Sequence, residues 1–352
     1  MLSERLKKLR PYVPGEQPQD RTYLKLNTNE NPYAPSPRIR TFLQDFDVEH
    51  LRLYPDPLLG GLREKIALRY GIDRDQVFVG NGSDEVLSFA FYACFDGIRG
   101  PLIFPEFTYT FYPVYCDFHG IAYKKIPLDR DFSIDTRRFL ETPNSCGLVF
   151  ANPNAPTGMS LSLDKIVHLL ENYPRDNVVL IDEAYVDFGA ESAIGLIKDF
   201  ENLLITRTFS KGMSLAGLRL GFAMGSQTLI NALFVVKDSF NSYPADSLSL
   251  KIGEIAIGDE DYYRGITEKI IAAREYLSSE LQKLGWCVLP SKANFLFASK
   301  EGIPGQTVYS RLKAEGILVR YFDIEGIKDF VRITIGKPED MEGFVRVVKR
   351  LF

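Results

Sequence analysis

The stretch Leu203-Leu-Ile-Thr206-Arg-Thr208-Phe-Ser210-Lys211-Gly-Met-Ser-Leu-Ala-Gly-Leu-Arg219-Leu-Gly221-Phe-Ala-Met224 decides how the rest of the chain is read. An apolar run enters it and a second leaves it, and between them lie hydroxyl side chains, one lysine and an arginine eight residues further on. The pattern predicts a strand, a polar loop and a returning strand. A lysine just past a buried strand can be desolvated and made nucleophilic. Taken alone, the same residues also read as a solvated loop lysine and a surface arginine.

Working outward, short β-rich runs at 76–80, 102–105, 147–151, 178–182, 203–206 and 221–224 alternate with helical patterns. That alternation predicts an α/β layered domain with a mostly parallel sheet, whose active site lies beyond the carboxyl ends of the strands. The polar motifs fall at those ends. Beyond Gln227 the chain turns helical, with 252–285 rich in Glu, Lys, Arg, Ala and Leu. Runs at 286–289, 293–297, 317–319 and 330–335 then read as a small sheet. A helix over Pro338–Leu351 closes it, with Glu339 and Asp340 at the end where the helix dipole favours acids. The first forty-odd residues carry Pro11, Pro14, Pro18, Pro32, Pro35 and Pro37 and read as an extended arm. The expected division is an arm over 1–45 that contributes to the small domain and to a dimer interface, a large domain over 46–250 and a small α+β domain over 251–352.

Composition narrows the function classes. With 42 basic against 46 acidic side chains the net charge is −4, which supplies neither a polyanion-binding surface nor a polybasic membrane anchor. A small molecule is the expected partner. Cys94, Cys116, Cys146 and Cys287 are far apart and form no C-x-x-C pair, and His50, His119 and His168 are scattered, so no metal site is expected. The N-terminus has the charge of a signal peptide without its apolar stretch, and Leu2, Leu6 and Leu9 fall instead on one face of a short helix. No apolar run approaches the ~18 residues of a membrane span. A cytoplasmic location is expected.

Three further motifs carry chemistry. In Val178-Val-Leu-Ile-Asp182-Glu-Ala-Tyr185 an apolar strand runs into an acid, with a tyrosine three residues later. Such an acid could pair with a protonated ring nitrogen while the phenol reaches a second ring substituent, which suits an aromatic cation. A metal-binding acid or a helix cap is the plainer reading, but no Gly-x-x-x-x-Gly-Lys loop accompanies it. Val79-Gly80-Asn-Gly82-Ser83-Asp84-Glu85 is a glycine-flanked turn before a helix, where backbone amides and the Ser83 hydroxyl suit a phosphate. Glu85 replaces the third glycine of a dinucleotide fingerprint. Ala151-Asn152-Pro-Asn154-Ala155-Pro156-Thr157-Gly158 imposes turns that could aim an asparagine amide at a ligand, or simply connect two elements.

Taken together, in this order along the chain, the four motifs resemble those of the fold-type I pyridoxal-phosphate aminotransferases, and the resemblance covers essentially the whole chain. Within that family the nearest resemblance is to the histidinol-phosphate aminotransferases. It is carried by Leu26-Asn-Thr-Asn29-Glu30-Asn-Pro32, Tyr54-Pro-Asp, Thr108-Tyr109-Thr-Phe-Tyr112, Leu318-Val-Arg320-Tyr-Phe and Val331-Arg332-Ile-Thr-Ile-Gly.

The resemblance implies an aspartate aminotransferase-like fold, with a mostly parallel seven-stranded sheet in the large domain. It also implies a homodimer with shared active sites, and pyridoxal 5'-phosphate as cofactor. By position, Lys211 would hold the cofactor covalently and shuttle the proton. Asp182 would keep the ring nitrogen protonated, Tyr185 would bond the phenolic oxygen and Tyr109 would stack on the ring. The cofactor phosphate would meet Ser83, Asp84, Thr208, Ser210 and Arg219, with Tyr54 reaching in from the neighbouring subunit. Arg332 would grip the substrate carboxylate, and Tyr12, Asn29 and Arg320 would complete the substrate contacts, with Tyr12 and Arg320 on a substrate phosphate. Where the family carries a second asparagine on the cofactor oxygen this chain has Ala155, so Asn154 is the expected substitute. The implied reaction exchanges an amino group between histidinol phosphate and 2-oxoglutarate. Threonine-phosphate decarboxylation and aromatic amino acid transamination are the alternatives.

Overall fold

Strands that are buried on both faces read as near-continuous apolar runs, and the central runs of this chain do so up to the polar carboxyl ends at Asp182 and Thr206–Thr208. In the computed structural model, which describes every residue except Met1, Glu4 and Arg5 and only the backbone of Lys8, they form a seven-stranded sheet. Its order is Val77–Gly80, Gly221–Gly225, Leu203–Thr208, Val178–Asp182, Gly147–Ala151, Leu102–Pro105 and Tyr123–Ile126. All neighbours pair in parallel except Gly221–Gly225, which runs antiparallel to both of its partners. The edge strand Tyr123–Ile126 was not expected. It reads Tyr-Lys-Lys-Ile and its first three residues are exposed, so it carries no apolar signature. Lysine on an exposed edge also discourages pairing with another chain.

The second sheet has the order Leu24–Leu26, Ile317–Tyr321, Phe330–Thr334, Phe295–Lys300 and Trp286–Val288. Its first strand comes from the N-terminal arm. Leu24–Leu26 pairs in parallel with Ile317–Tyr321, and Leu26 is buried in the small sheet's core. A helix, Pro37–Asp45, follows, with Ser36 as its N-cap and proline in its first position, where no backbone donor is needed. The arm is therefore built into the fold rather than laid upon it. At the extreme N-terminus the expected helix is a three-residue 3-10 turn, Leu6–Lys8, and part of that expectation lies outside the described residues.

The stretch 252–285 is divided at Gly258 and Asp259 into helices Ser247–Ile257 and Glu260–Lys283. Pro338–Leu351 is one helix, and it buries Met341, Phe344, Val345 and Val348, the three-and-four spacing of an amphipathic face. None of the described helices is long and apolar enough to cross a membrane. The two sheets meet through the arm. After Leu26 the chain turns at Asn29, whose backbone is left-handed with φ 56°, and Asn29 is fixed by Thr334 and Asn294 of the small sheet's region. From there it passes over the carboxyl ends of the large sheet.

Candidate active site

Parallel strands deliver their carboxyl ends to one side of the sheet, so Ala151, Asp182 and Thr208 converge although far apart in sequence. Around them lies a cavity of about 230 Å³. Every residue expected at the site lines it except Tyr54 and Asn154.

One end of the cavity is built for an anion. Gly82 has φ +80° and begins the helix Gly82–Cys94. A Cβ on Gly82 would lie 2.7 Å from the Arg219 guanidinium, and one on Gly221 would lie 2.3 Å from the backbone nitrogen of Ser83. Glycine at both positions lets the returning strand run directly beneath the first turn of the helix. Arg219 itself adopts φ 55°, which aims its guanidinium at that turn, where Nη2 pairs with Asp84 Oδ2 at 3.0 Å. Unpaired amides of a first helical turn, a guanidinium and the hydroxyls of Ser83, Thr208 and Ser210 together make a phosphate site.

The opposite requirement is met at Asp182. Its carboxylate accepts hydrogen bonds from the Tyr112 hydroxyl at 3.1 Å, the Ala184 amide at 3.2 Å and the Thr206 hydroxyl at 3.5 Å. Among the described residues no cationic side chain pairs with it. Burial is the main reason its carboxyl is pushed up to about 6, and the charge of Asp84 adds to the shift. A desolvated acid without a cation suits a ligand that brings one.

Between these ends, Lys211 Nζ donates to the Thr28 carbonyl at 3.2 Å and lies 5.7 Å from the centre of the Tyr185 ring. The Lys211 carbonyl is itself held by Asn31 Nδ2 at 3.0 Å. Tyr185 accepts from Asn29 Nδ2 at 2.9 Å and packs edge-on against Phe295. Tyr109 donates to Asp84 Oδ1 at 2.9 Å, and burial holds its phenol well above the usual range. The donor set therefore fits a flat aromatic group with a cation at one end and a phosphate at the other.

At the mouth of the cavity Arg320 and Arg332 are direct partners in the antiparallel pairing of their strands. Arg332 donates from Nη2 to the Asn27 carbonyl at 3.1 Å, while its Nε is buried without a partner. Burial lowers its guanidinium below the usual range. Arg320 donates to the carbonyls of Val13 and Pro14. Among the described residues neither arginine is ion-paired with a carboxylate. Tyr12 also lines the mouth, its ring 5.0 Å from that of Phe111.

Two expected residues stand elsewhere. The Asn154 amide is occupied away from the cavity: Oδ1 accepts from Thr108 at 2.9 Å, and Nδ2 donates to the Phe107 carbonyl at 2.8 Å and to Thr157 of its own loop at 3.1 Å. Ala155 is the residue that lines the cavity, with its methyl packed among Ala293, Phe295 and Tyr185. Asn154 therefore does not replace the missing asparagine. Tyr54 is 82% exposed and stacked on Tyr243, outside the cavity of its own chain. Sequence reasoning missed Tyr112 as the partner of Asp182 and Asn31 as the clamp on the Lys211 loop. Both act across long separations, and no local spacing announces either.

The profile of the family described as aminotransferase class I and II matches residues 21–348. The histidinol-phosphate aminotransferase of Syntrophus aciditrophicus (strain SB) is 61% identical, with 100% of this chain and 98% of that protein covered. That of Chromohalobacter salexigens is 50% identical, covering 99% of this chain and 97% of that protein. Among solved structures, histidinol-phosphate aminotransferase from Sinorhizobium meliloti in complex with pyridoxal-5'-phosphate superposes with a TM-score of 0.87 at 21% identity, covering 100% of this chain and 98% of that one. The L-threonine-O-3-phosphate decarboxylase from Porphyromonas gingivalis does so with 0.77 at 20% identity, covering 93% and 98%. At such identities the structural likeness is one of fold.

Proposed function

The chain belongs to the class I and II aminotransferase family, and from that premise we propose that it is a pyridoxal 5'-phosphate-dependent enzyme exchanging an amino group between histidinol phosphate and 2-oxoglutarate, a step of histidine biosynthesis. When bound, pyridoxal phosphate supplies an electron sink for the pair left as the amine-bearing carbon loses its proton. The side chains do the rest. Lys211 would hold the cofactor covalently, and its amine would carry the proton to and from the amine-bearing carbon. Asp182 keeps the ring nitrogen protonated, and Tyr185, oriented by Asn29, donates to the ring oxygen. Tyr109 covers the ring face, and Ser83, Thr208, Ser210 and Arg219 hold the cofactor phosphate.

The observation that carries the substrate half of this reading is the opposed pair Arg320 and Arg332, both on the cavity and neither neutralised by a carboxylate among the described residues. Histidinol phosphate carries its phosphate ester on the carbon attached to the amine-bearing one, where glutamate has a carboxylate. One planar guanidinium serves a carboxylate, and two meet the greater charge of a phosphate. Exposure of Tyr54 supports a homodimer in which it reaches the partner's cofactor phosphate, and sedimentation of the holoenzyme at a protomer mass would overturn that part.

Purified protein incubated with pyridoxal phosphate is expected to gain a visible absorbance that dialysis does not remove. It should then convert histidinol phosphate and 2-oxoglutarate with ping-pong kinetics. Carbon dioxide release from threonine phosphate, or a preference for aromatic amino acids over histidinol phosphate, would replace the reading. A protein that cannot be reconstituted with the cofactor would end it.

A further inference from the structure

The N-terminal arm crosses the cavity mouth as a strap fixed at both ends. At one end the Tyr12 ring rests on Phe111, which belongs to the aromatic cluster beside Tyr109. At the other, Glu16 reaches the helix Gly305–Ala314 of the small sheet's layer. Its carboxylate accepts from the Tyr309 hydroxyl and from Lys313 Nζ at 2.5 Å, and Lys313 Nζ lies 3.3 Å from the same hydroxyl. The Glu16 carbonyl takes Asn27 Nδ2 at 2.9 Å. Between the two anchors the strap lies flat: a Cβ on Gly15 would come within 2.9 Å of the Thr28 methyl and 3.6 Å of Arg320 Nη1.

What the strap touches in the cavity is Arg320. Nη1 donates to the Pro14 carbonyl at 3.2 Å and Nη2 to the Val13 carbonyl at 3.1 Å. Two carbonyls fix a guanidinium in position without cancelling its charge, whereas a carboxylate would do both. The strap's own acid is near enough for Arg320 to stabilise its charge, yet its hydrogen bonds go to Lys313 and Tyr309. The arrangement orients Arg320 and keeps the strap's own carboxylate off it.

We propose that Glu16 is a specificity-determining positioning residue: latched to Tyr309 and Lys313, it holds the 12–16 strap so that Arg320 is oriented and uncompensated, ready for a substrate phosphate. The inference rests on the proposed function, because it concerns the phosphate-bearing substrate. It separates the two substrates of one enzyme. Arg332 alone serves the α-carboxylate of glutamate, so the latch acts on the phosphorylated substrate and leaves glutamate nearly untouched.

The test uses the holoenzyme carrying Glu16→Ala, Glu16→Gln or Lys313→Met, with kcat and KM measured for histidinol phosphate, histidinol and glutamate, and inhibition measured with inorganic phosphate. Glu16→Ala is expected to raise the KM for histidinol phosphate roughly tenfold and to weaken phosphate inhibition in parallel, with kcat and the glutamate KM changed less than about twofold. Glu16→Gln keeps an oxygen for Tyr309 and Lys313 and should recover most of the loss. Lys313→Met frees the Glu16 carboxylate to pair with Arg320 and should raise the same KM further than Glu16→Ala does. A wild type that prefers histidinol phosphate to histidinol, with Glu16→Ala unchanged or with both KM values raised together, overturns the latch alone. A wild type with no such preference overturns the proposed function and the latch with it.

Discussion

Asp182 and Glu183 are consecutive acids, both buried, with opposite electrostatic surroundings. Asp182 faces the cavity and has hydroxyls and one amide for company. Glu183 turns to the other side of the sheet, as alternate residues of an extended chain do. There it meets Arg207, which lies between Thr206 and Thr208 on the neighbouring strand. Glu183 Oε2 accepts from Arg207 Nε and Nη2 at 3.0 and 2.8 Å and from the Ser192 hydroxyl at 2.8 Å, and Oε1 accepts from the Ala193 amide at 2.6 Å. Arg207 Nη1 adds the Tyr70 hydroxyl at 2.9 Å. Every atom of this pair has a partner. The difference separates two uses of a buried acid: a saturated pair holds strands together, and an acid left without its cation is poised for a ligand.

The comparison can be broken from the cavity side first. Lys211→Ala should reduce turnover by on the order of 10²–10⁴ through loss of the proton carrier alone, and should leave a cofactor that dialysis removes. Its melting temperature should stay near that of the wild-type apoprotein, because Lys211 makes one hydrogen bond to a carbonyl. Retained turnover would remove Lys211 from the chemistry.

On the far side the expected effect is on stability. Arg207→Ala leaves Glu183 charged and buried without its cation, and should cost about 3–5 kcal/mol in urea unfolding. Replacing both partners by apolar residues of similar volume should recover most of that loss. An Arg207→Ala protein as stable as wild type would mean that Glu183 finds another partner or takes up a proton.

A smaller effect tests Asp182 through pH. Its folded carboxyl is raised from the ordinary 3.8 to about 6, so between those values the folded apoprotein binds a proton that the unfolded chain has already lost. Stability contributed here is therefore highest below about pH 4, falls as pH rises through the window, and is lower by roughly 3 kcal/mol above pH 6. Asp182→Asn removes the titration. Without cofactor, the variant and the wild type should unfold alike near pH 4, with the variant more stable by up to that amount near pH 7. A difference that does not change with pH would show that Asp182 titrates normally. With cofactor bound the order should reverse, since the ring cation then stabilises the carboxylate.

Legibility in the sequence followed burial. Gly147–Ala151 and Val178–Asp182 were readable because strands covered on both faces read as near-continuous apolar runs, and Pro338–Leu351 because one buried helical face imposes its own period. Tyr123–Ile126 and Leu24–Leu26 were not, since an exposed edge and a three-residue strand carry too little apolar pattern to register. The same holds at the site. Lys211, Asp182, Ser83 and Arg219 each sit in a local motif at the end of a strand, and a parallel sheet brings such ends together. Asn154 illustrates the limit: its sequence neighbours aim an amide somewhere, but its partners Phe107 and Thr108 lie more than forty residues away and turn it from the cavity.

The sequence by itself determined the layered α/β architecture, through local periodicity, and the motif residues, through short spacings along single loops, and those motifs taken together carried the resemblance to the family. Only the tertiary structure decided that no described cationic side chain pairs with Asp182 while its neighbour has one, that Ala155 rather than Asn154 lines the cavity, and that the proline-rich arm is pinned across Arg320. Those outcomes depend on which distant side chain fills the space beside each group, and burial makes that choice consequential: away from water, a partner a few ångströms off settles whether a charge holds the fold or waits for a ligand.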